Sequence, residues 1–293
     1  MAIPAPGQHS TIDLGDIGLH VVEAGDPRGP LVVLLHGFPE YWYAWRHQMP
    51  ALAEAGYHVV APDLRGYNLS DKPLAVNAYR LDILARDVAR LIDALGYETA
   101  HIAGHDWGGA VAWAFASRYP AMLDRLVVLN SPHPERFMNA ARMPSQWLRS
   151  SYMLFFQIPW LPELLCRAGN FALPRRALER DPLRPDAFTA NDIARYVEAW
   201  SQPGTWTGGM NYYRAAFRRT AGLSRLFQNT RPITAPVLII WGRRDRFLLP
   251  ALATPNPSLV PNARIEWLSD ASHWVMTDAR ERVNDLLVAF LSE

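Results

Sequence analysis

Residues 100–109, AHIAGHDWGG, join an apolar strand pattern to the start of a helix made of small residues. Within them, residues 104–108 follow the Gly-x-nucleophile-x-Gly pattern of a nucleophile elbow, a strained turn in which glycines let the backbone approach the reactive residue closely. The nucleophile position holds Asp106, and the dipole of the following helix would favour its ionised form. The plainer interpretation is an Asp that caps a helix. The flanking glycines favour a reactive aspartate.

Short apolar runs on both sides of this stretch predict the fold class. Being continuous and rich in β-branched residues, they are typical of strands buried on both faces of a parallel sheet. The runs are 31–35, 57–61, 100–103, 126–129 and 237–240. Segments whose apolar residues have helical spacing lie between these runs, as at Leu84, Val88 and Leu91. A hairpin is predicted at 11–14 and 19–22, and a closing helix around Val283 and Leu287. The chain is predicted to be α/β, with a mostly parallel sheet flanked by helices.

The alternation stops between about residues 134 and 230. This part is rich in Trp, Phe, Arg and Pro, and helical patterns around 147–156, 192–200 and 212–219 are separated by Pro-containing turns. We therefore expect a core of residues 1–133 and 231–293, with residues 134–230 inserted as a helical cap.

Composition excludes several classes of protein. The 29 basic and 28 acidic residues leave a net charge of +1, which argues against nucleic acid and anionic membranes as partners. The single cysteine, Cys166, can form neither an internal disulfide nor a thiolate metal site. The first residues lack a signal-peptide pattern and no apolar run approaches membrane-spanning length. We expect a soluble cytoplasmic protein without a cofactor or metal; the composition leaves homo-oligomerisation open.

A second motif, His36-Gly37-Phe38-Pro39-Glu40, follows the predicted strand 31–35 directly. In an arrangement with a nucleophile elbow, the loop at this place supplies one backbone N–H of an oxyanion hole, here that of Phe38. The residue after the nucleophile, Trp107, supplies the other. Taken alone, the motif would be an ordinary Gly-Pro turn.

Five stretches together carry a family resemblance. They are HGFPEYWYAWRHQ (36–48), DLRGYNLSDKP (63–73), GHDWGG (104–109), WGRRDRF (241–247) and SHW (272–274). In this order they closely resemble epoxide hydrolases of the α/β-hydrolase fold, over nearly the whole predicted core. Asn68 departs from the small residue usual in that family, but Asn tolerates a left-handed backbone.

The resemblance implies a catalytic triad of Asp106, Asp245 and His273. Asp245 follows the predicted strand 237–240, and both later residues lie in the loops where the family has its acid and its histidine. The alternatives are a solvated carboxylate among arginines and a packed loop histidine. In such a triad the carboxylate of Asp106 attacks an sp3 carbon and forms an ester, which water activated by His273 hydrolyses.

Opening an epoxide also needs an acid for the departing oxygen, and the family uses two cap tyrosines. The segments around residues 151–157 and 211–214 resemble those that carry them, which implies Tyr152 and Tyr213, with Tyr212 as an alternative to Tyr213. The same comparison implies substrate contacts from Pro39, Trp107 and the two tyrosines. The expected reaction converts a small, apolar epoxide and water to a vicinal diol.

Two other functions stay open. A hydrolytic dehalogenase would use the same Asp-His-Asp triad, although such enzymes usually have Asn where this chain has Phe38, or follow the nucleophile with Arg. A non-catalytic ligand receptor on this scaffold would be expected to have lost a triad residue, and this sequence keeps all three.

Overall fold

The computed structural model describes residues 7–140, 143–218 and 232–293. Its centre is one sheet of eight strands. The strands are β1 (Gln8–Asp13), β2 (Gly18–Ala24), β3 (Leu31–Leu35), β4 (His58–Pro62), β5 (Ala100–His105), β6 (Leu123–Leu129), β7 (Val237–Gly242) and β8 (Ala263–Leu268). They lie in the order β1-β2-β4-β3-β5-β6-β7-β8. Strands β3 to β8 run parallel, and the β1-β2 hairpin adds two antiparallel strands at one edge.

The sequence predictions of the strands are largely confirmed. All five apolar runs and the hairpin form strands, and every residue of β3, β4, β5 and β7 is buried. Strand β8 was not predicted. It lies at the other edge of the sheet and has only one fully buried residue, Leu268, with Arg264 and Glu266 among the rest. An edge strand that faces water on one side lacks the continuous apolar run used to find the others.

Helices cover the sheet and fill the long connection between β6 and β7. Those of the sheet layers are α1 (Gln48–Glu54), α2 (Leu81–Ala94) and α3 (Trp107–Arg118), with α10 (Val275–Asp278) and α11 (Arg280–Leu291) at the end of the chain. Those of the connection are α4 (Pro134–Asn139), α5 (Pro144–Arg149), α6 (Ser151–Phe155), α7 (Leu161–Arg180), α8 (Ala190–Ser201) and α9 (Thr205–Arg218). In its described residues this connection contains helices and no strand.

The helices of the connection differ in detail from the sequence prediction. The stretch 147–156 is two short helices, α5 and α6, and the helix expected at 212–219 begins earlier, at Thr205. The last residue of that predicted helix, residue 219, lies outside the described residues. The same holds for residues 219–230 of the expected cap. Helix α7 was missed, because it contains Pro174 and is interrupted by left-handed backbone at residues 169–171. No helix among the described residues is long and apolar enough to cross a membrane.

Candidate active site

Asp106 sits at the turn between β5 and α3 in a backbone conformation that L-residues rarely adopt, with φ 48° and ψ −117°. Close backbone contacts require glycine on both sides. A Cβ added at Gly104 would lie 2.4 Å from the carbonyl oxygen of Gly108, and one at Gly108 would lie 2.1 Å from that of Leu35. The hydroxyl of Ser131 donates to the Asp106 carbonyl at 2.7 Å. The strained elbow is therefore held by its neighbours, since strain of this kind persists only where surrounding structure imposes it.

The three residues of the predicted triad meet at the carboxyl ends of β5 and β7. Nδ1 of His273 lies 2.8 Å from Oδ2 of Asp245, and Nε2 of His273 lies 3.7 Å from Oδ2 of Asp106. The ring of His273 is thus oriented by one carboxylate and directed at the other. The distance from His273 to Asp106 is longer than a hydrogen bond.

Asp245 is enclosed by hydrogen-bond donors and is only 3% exposed. The backbone N–H groups of Phe247 and Leu248 donate to Oδ1 at 2.7 and 2.9 Å, and the Asn130 amide donates to Oδ2 at 2.6 Å. Burial alone would raise the pKa of Asp245, but the charge and hydrogen bond of His273, with the other donors, lower it overall. The carboxylate is therefore ionised and fixed in place, unlike a solvated loop residue.

The pKa of His273 is raised to about 9. Burial acts to lower this pKa, and the carboxylate of Asp245, followed by that of Asp106, more than offsets the effect. The imidazole is therefore protonated near neutral pH. Loss of the charge on Asp106 would remove one of the causes and lower the pKa.

The loop after β3 approaches Asp106 from the other side. The backbone N–H of Phe38 donates to Oδ1 of Asp106 at 2.9 Å. The ring of Phe38 contacts those of Phe156, Trp206 and Tyr213. Oδ1 is held in this way, whereas Oδ2 lies 3.7 Å from Nε2 of His273.

Pro39 and Trp107 have different surroundings. Trp107 is the first residue of α3, and its ring contacts that of Tyr213 at a centroid distance of 4.9 Å. Pro39 is buried, and its carbonyl accepts a hydrogen bond from the Trp200 indole at 2.6 Å. Within the described part of the chain, Pro39 does not line the cavity beside Asp106. The structure therefore gives no support to a substrate contact by Pro39.

Tyr152 of α6 and Tyr213 of α9 line the same cavity as Asp106, with ring centroids 5.9 Å apart. Burial raises the pKa of both phenols, and the nearby charge of Asp106 raises each further. Both side chains therefore keep their protons. The hydroxyl of Tyr212 donates instead to the carbonyl of Arg65 at 2.9 Å. This orientation favours Tyr213 over Tyr212 as a group that acts at Asp106.

A cavity of about 440 Å³ opens beside these residues. Asp106, Trp107, Tyr152 and Tyr213 line it, together with apolar side chains from α4, α6, α9 and the loop after β7. These apolar side chains include Phe137, Met138, Met153, Phe217, Phe247 and Leu248. A cavity with few polar groups fits an apolar ligand.

Two further sets of hydrogen bonds surround the triad. His105 lies beneath His273: its Nδ1 is 2.8 Å from Oε2 of Glu40, and its Nε2–H donates to the His273 carbonyl at 2.9 Å. Asn130 bridges β6 and β7, since its Oδ1 accepts from the N–H of Gly242 at 2.9 Å while its amide holds Asp245. The available signal for Asn130 was a polar residue directly after a buried strand, and for His105 a polar residue at the end of one.

Helix α5 is also bonded to the loop that carries Asp245. The Gln146 amide donates to the Phe247 carbonyl at 2.8 Å and accepts from the N–H of Leu249 at 3.0 Å. Arg149 donates to the backbone carbonyl of Asp245 at 2.8 Å. The connection between β6 and β7 is thus attached to the acid of the triad as well as to the tyrosines. Neither residue stands in a recognisable motif, so sequence alone gave no signal for them.

Comparison with known proteins places this arrangement among enzymes. Residues 30–279 match the family model for the alpha/beta hydrolase fold. The chain is 42% identical to the AB hydrolase superfamily protein YfhM of Bacillus subtilis, over 96% of each chain. It is 39% identical to epoxide hydrolase 4 of Homo sapiens, over 99% of this chain and 80% of the human protein.

Solved structures agree with the sequence relatives. A variant epoxide hydrolase from Bacillus megaterium, in complex with its product (R)-3-[1]naphthyloxy-propane-1,2-diol, superposes with a TM-score of 0.88 at 32% identity. The match covers 97% of this chain and 100% of that one.

Proposed function

The chain belongs to the alpha/beta hydrolase fold family and, within it, to the epoxide hydrolases, and from this premise we propose that it opens an apolar epoxide through an ester on Asp106. The observation that carries the proposal is the position of Asp106, with Oδ2 3.7 Å from Nε2 of His273, in a cavity that two protonated phenols also line. The products are a vicinal diol and regenerated enzyme, and no cofactor is needed.

In the first step, Oδ2 of Asp106 attacks one carbon of the epoxide ring. The carbon–oxygen bond breaks, its electron pair stays on the epoxide oxygen, and that oxygen takes a proton from Tyr152 or Tyr213. An unassisted alkoxide would be costly in an apolar cavity, so the phenols supply the acid that the leaving oxygen needs. The product of this step is an ester between the substrate and Asp106.

In the second step, water attacks the ester at Cγ of Asp106. Formation of the ester has removed the charge of Asp106, so His273 releases its proton, which replaces the one given up by the phenol. The neutral imidazole then takes a proton from the attacking water. The backbone N–H of Phe38, with that of Trp107, stabilises the oxyanion at Oδ1. Collapse breaks the bond between Cγ and the substrate oxygen, and that oxygen takes the remaining proton of the water from the new carboxyl group. The diol leaves, Asp106 is a carboxylate again, and His273 stays protonated, as at the start.

We also propose that the connection between β6 and β7 serves as the cap of this site. It corresponds to residues 134–230, the cap expected from the sequence. Both tyrosines and most of the apolar lining come from its helices, whereas the triad comes from the sheet. The apolar lining supports an apolar, aryl-bearing epoxide as substrate. The naphthyloxy diol bound by the Bacillus megaterium relative is a product of this kind.

The oxygen atoms report on the mechanism directly. In a single turnover in water labelled with heavy oxygen, the ester route places the label in the carboxylate of Asp106, while the diol carries an unlabelled carboxylate oxygen. Direct attack of water on the epoxide would place the label in the first diol formed. Parallel assays with aryl glycidyl ethers, haloalkanes and fluoroacetate distinguish epoxide hydrolysis from dehalogenation.

A further inference from the structure

Exposed large apolar side chains are concentrated in one short stretch of the chain. Of the eleven found in the described residues, seven lie between residues 147 and 165. We call them the apolar patch: Trp147, Leu148, Leu154, Ile158, Trp160, Leu164 and Leu165. Leu148 is 79% exposed and Trp160 is 70% exposed. Single exposed apolar residues are ordinary, but seven within so short a stretch of the chain indicate a surface that contacts something.

The patch is a built surface, held by a buried arginine. The guanidinium of Arg214 donates to the backbone carbonyls of Phe156 and Ile158, each at 2.9 Å, and forms an ion pair with Glu163 at 2.7 Å. These three partners span the turn between α6 and α7. The turn that presents Ile158 and Trp160 to water is therefore fixed from below.

The charges around the patch are mainly positive. Residues 143–181 contain five arginines and three acidic residues, and each acidic residue is paired: Glu163 with Arg214, Glu179 with Arg175 and Asp181 with Arg246. Arg167 and Arg176 are exposed. Apolar and aromatic side chains can enter the outer acyl region of a lipid bilayer, and neighbouring arginines can pair with anionic head groups. No unpaired carboxylate in this stretch would repel those head groups.

The patch also borders the cavity. Trp147 lines the cavity and is at the same time 46% exposed. Along α5 and α6, Gln146 and Met153 face the cavity while Leu148 and Leu154 face water. The same two short helices thus form the wall of the cavity on one side and part of the patch on the other.

We propose that the apolar patch seats the protein on the surface of an anionic lipid bilayer, so that an apolar substrate enters the cavity from the lipid. Trp160 and the leucines enter the head-group region, and Arg167 and Arg176 pair with lipid phosphates. The route of entry rests on the proposed function, whereas binding to the bilayer does not. The proposal differs from the expectation from net charge, because a local cluster can bind a membrane although the whole chain carries only +1.

A second copy of the chain fits the patch less well. In a two-fold interface the same surface meets itself, so the arginines bordering one patch would face those of the other. Residues 143–181 offer no free carboxylate to pair with them. A lipid phosphate supplies the missing negative charge.

The test is flotation of the purified full-length protein with vesicles of phosphatidylcholine, with and without phosphatidylglycerol, in the absence of substrate. We expect binding to the anionic vesicles that weakens as salt is raised. The double variant Leu148→Ser/Trp160→Ser should bind at least about tenfold more weakly. Arg167→Gln/Arg176→Gln should lose the preference for phosphatidylglycerol. Leu74→Ser is the matched control, since Leu74 is 88% exposed outside the patch.

Turnover separates the two proposals. All four proteins should hydrolyse a water-soluble epoxide equally, and Leu148→Ser/Trp160→Ser should be slower only on an epoxide dissolved in anionic vesicles. Vesicle binding without any epoxide turnover would overturn the proposed function and leave the docking surface intact. Wild type that does not float with anionic vesicles, or that forms a dimer abolished by the same double variant, would overturn the docking surface.

Discussion

Nδ1 of His273 lies 2.8 Å from Oδ2 of Asp245, which turns the opposite nitrogen of the ring toward Asp106. A histidine held in this way can serve the hydrolysis of an ester without taking part in its formation. The two steps of the proposed reaction should therefore be separable by substitution.

His273→Gln should form the ester and fail to hydrolyse it, because attack by Asp106 needs no base. The intact-protein mass after mixing with a reactive aryl epoxide should rise by the mass of the substrate. The control is Asp106→Asn/His273→Gln, which should gain nothing. If His273→Gln binds the epoxide but keeps its original mass while wild type turns over, the covalent role of Asp106 is wrong.

The stability of the fold should fall at alkaline pH because of His273. Its pKa in the folded protein is about 9, above the ordinary value of 6.5. A raised pKa contributes stability that is complete below pH 6.5 and is lost as pH rises through 9. The free energy of unfolding should drop in this window by on the order of 3 kcal/mol. Urea denaturation at several pH values measures this, and His273→Gln should lack the drop.

Hydrolysis of the ester should have its own pH dependence. The neutral form of His273 is the base, so the rate of this step should rise with pH. Because the ester removes the negative charge of Asp106, the apparent pKa should lie below the value of about 9 in the resting protein. The decay rate of the ester, measured in single-turnover experiments between about pH 5 and pH 10, checks this apparent pKa. That range covers roughly the titration of a histidine. An apparent pKa above 9 would contradict the assigned role of the Asp106 charge.

The two neighbouring tyrosines of α9 provide an internal control. Tyr213→Phe removes a hydroxyl from the cavity that Asp106 also lines and should slow epoxide opening by roughly 10- to 1000-fold. Tyr212→Phe removes a hydroxyl that donates to the carbonyl of Arg65. It should lower stability by about 1–3 kcal/mol through the unpaired carbonyl, with little effect on the rate. Rapid-mixing kinetics and denaturation distinguish the two, and equal rate losses would refute the assignment to Tyr213.

Gln146 should position the acid loop without touching the reacting atoms. Gln146→Met keeps the side-chain length and removes both hydrogen bonds to the loop after β7. We expect slower hydrolysis of the ester, with its pH profile shifted, and formation of the ester less affected. Exposed Gln8→Met is the control. A loss of stability with an unchanged pH profile would indicate a purely structural role.

The sequence was most informative where a residue type is forced by geometry. The elbow around Asp106 could be predicted because only glycine fits at positions 104 and 108, and buried parallel strands leave long apolar runs. Strand β8 and helix α7 were missed because an exposed edge and an interrupted helix leave no regular pattern. Contacts such as Gln146 with the acid loop join residues about a hundred positions apart, and no local spacing encodes them.

The geometry of the elbow has a consequence for how such a sequence can diverge. The backbone at Asp106 is confined by its neighbours, since a side chain at Gly108 would collide with the carbonyl of Leu35, and a Cβ at Gly37 would lie 2.6 Å from that of Asp106. The carboxylate itself contributes nothing to that confinement beyond accepting the Phe38 N–H. Selection therefore acts on the glycines through folding and on residue 106 through chemistry. Residue 106 can therefore be exchanged within the same strained turn, whereas a side chain at Gly104 or Gly108 would collide with backbone atoms.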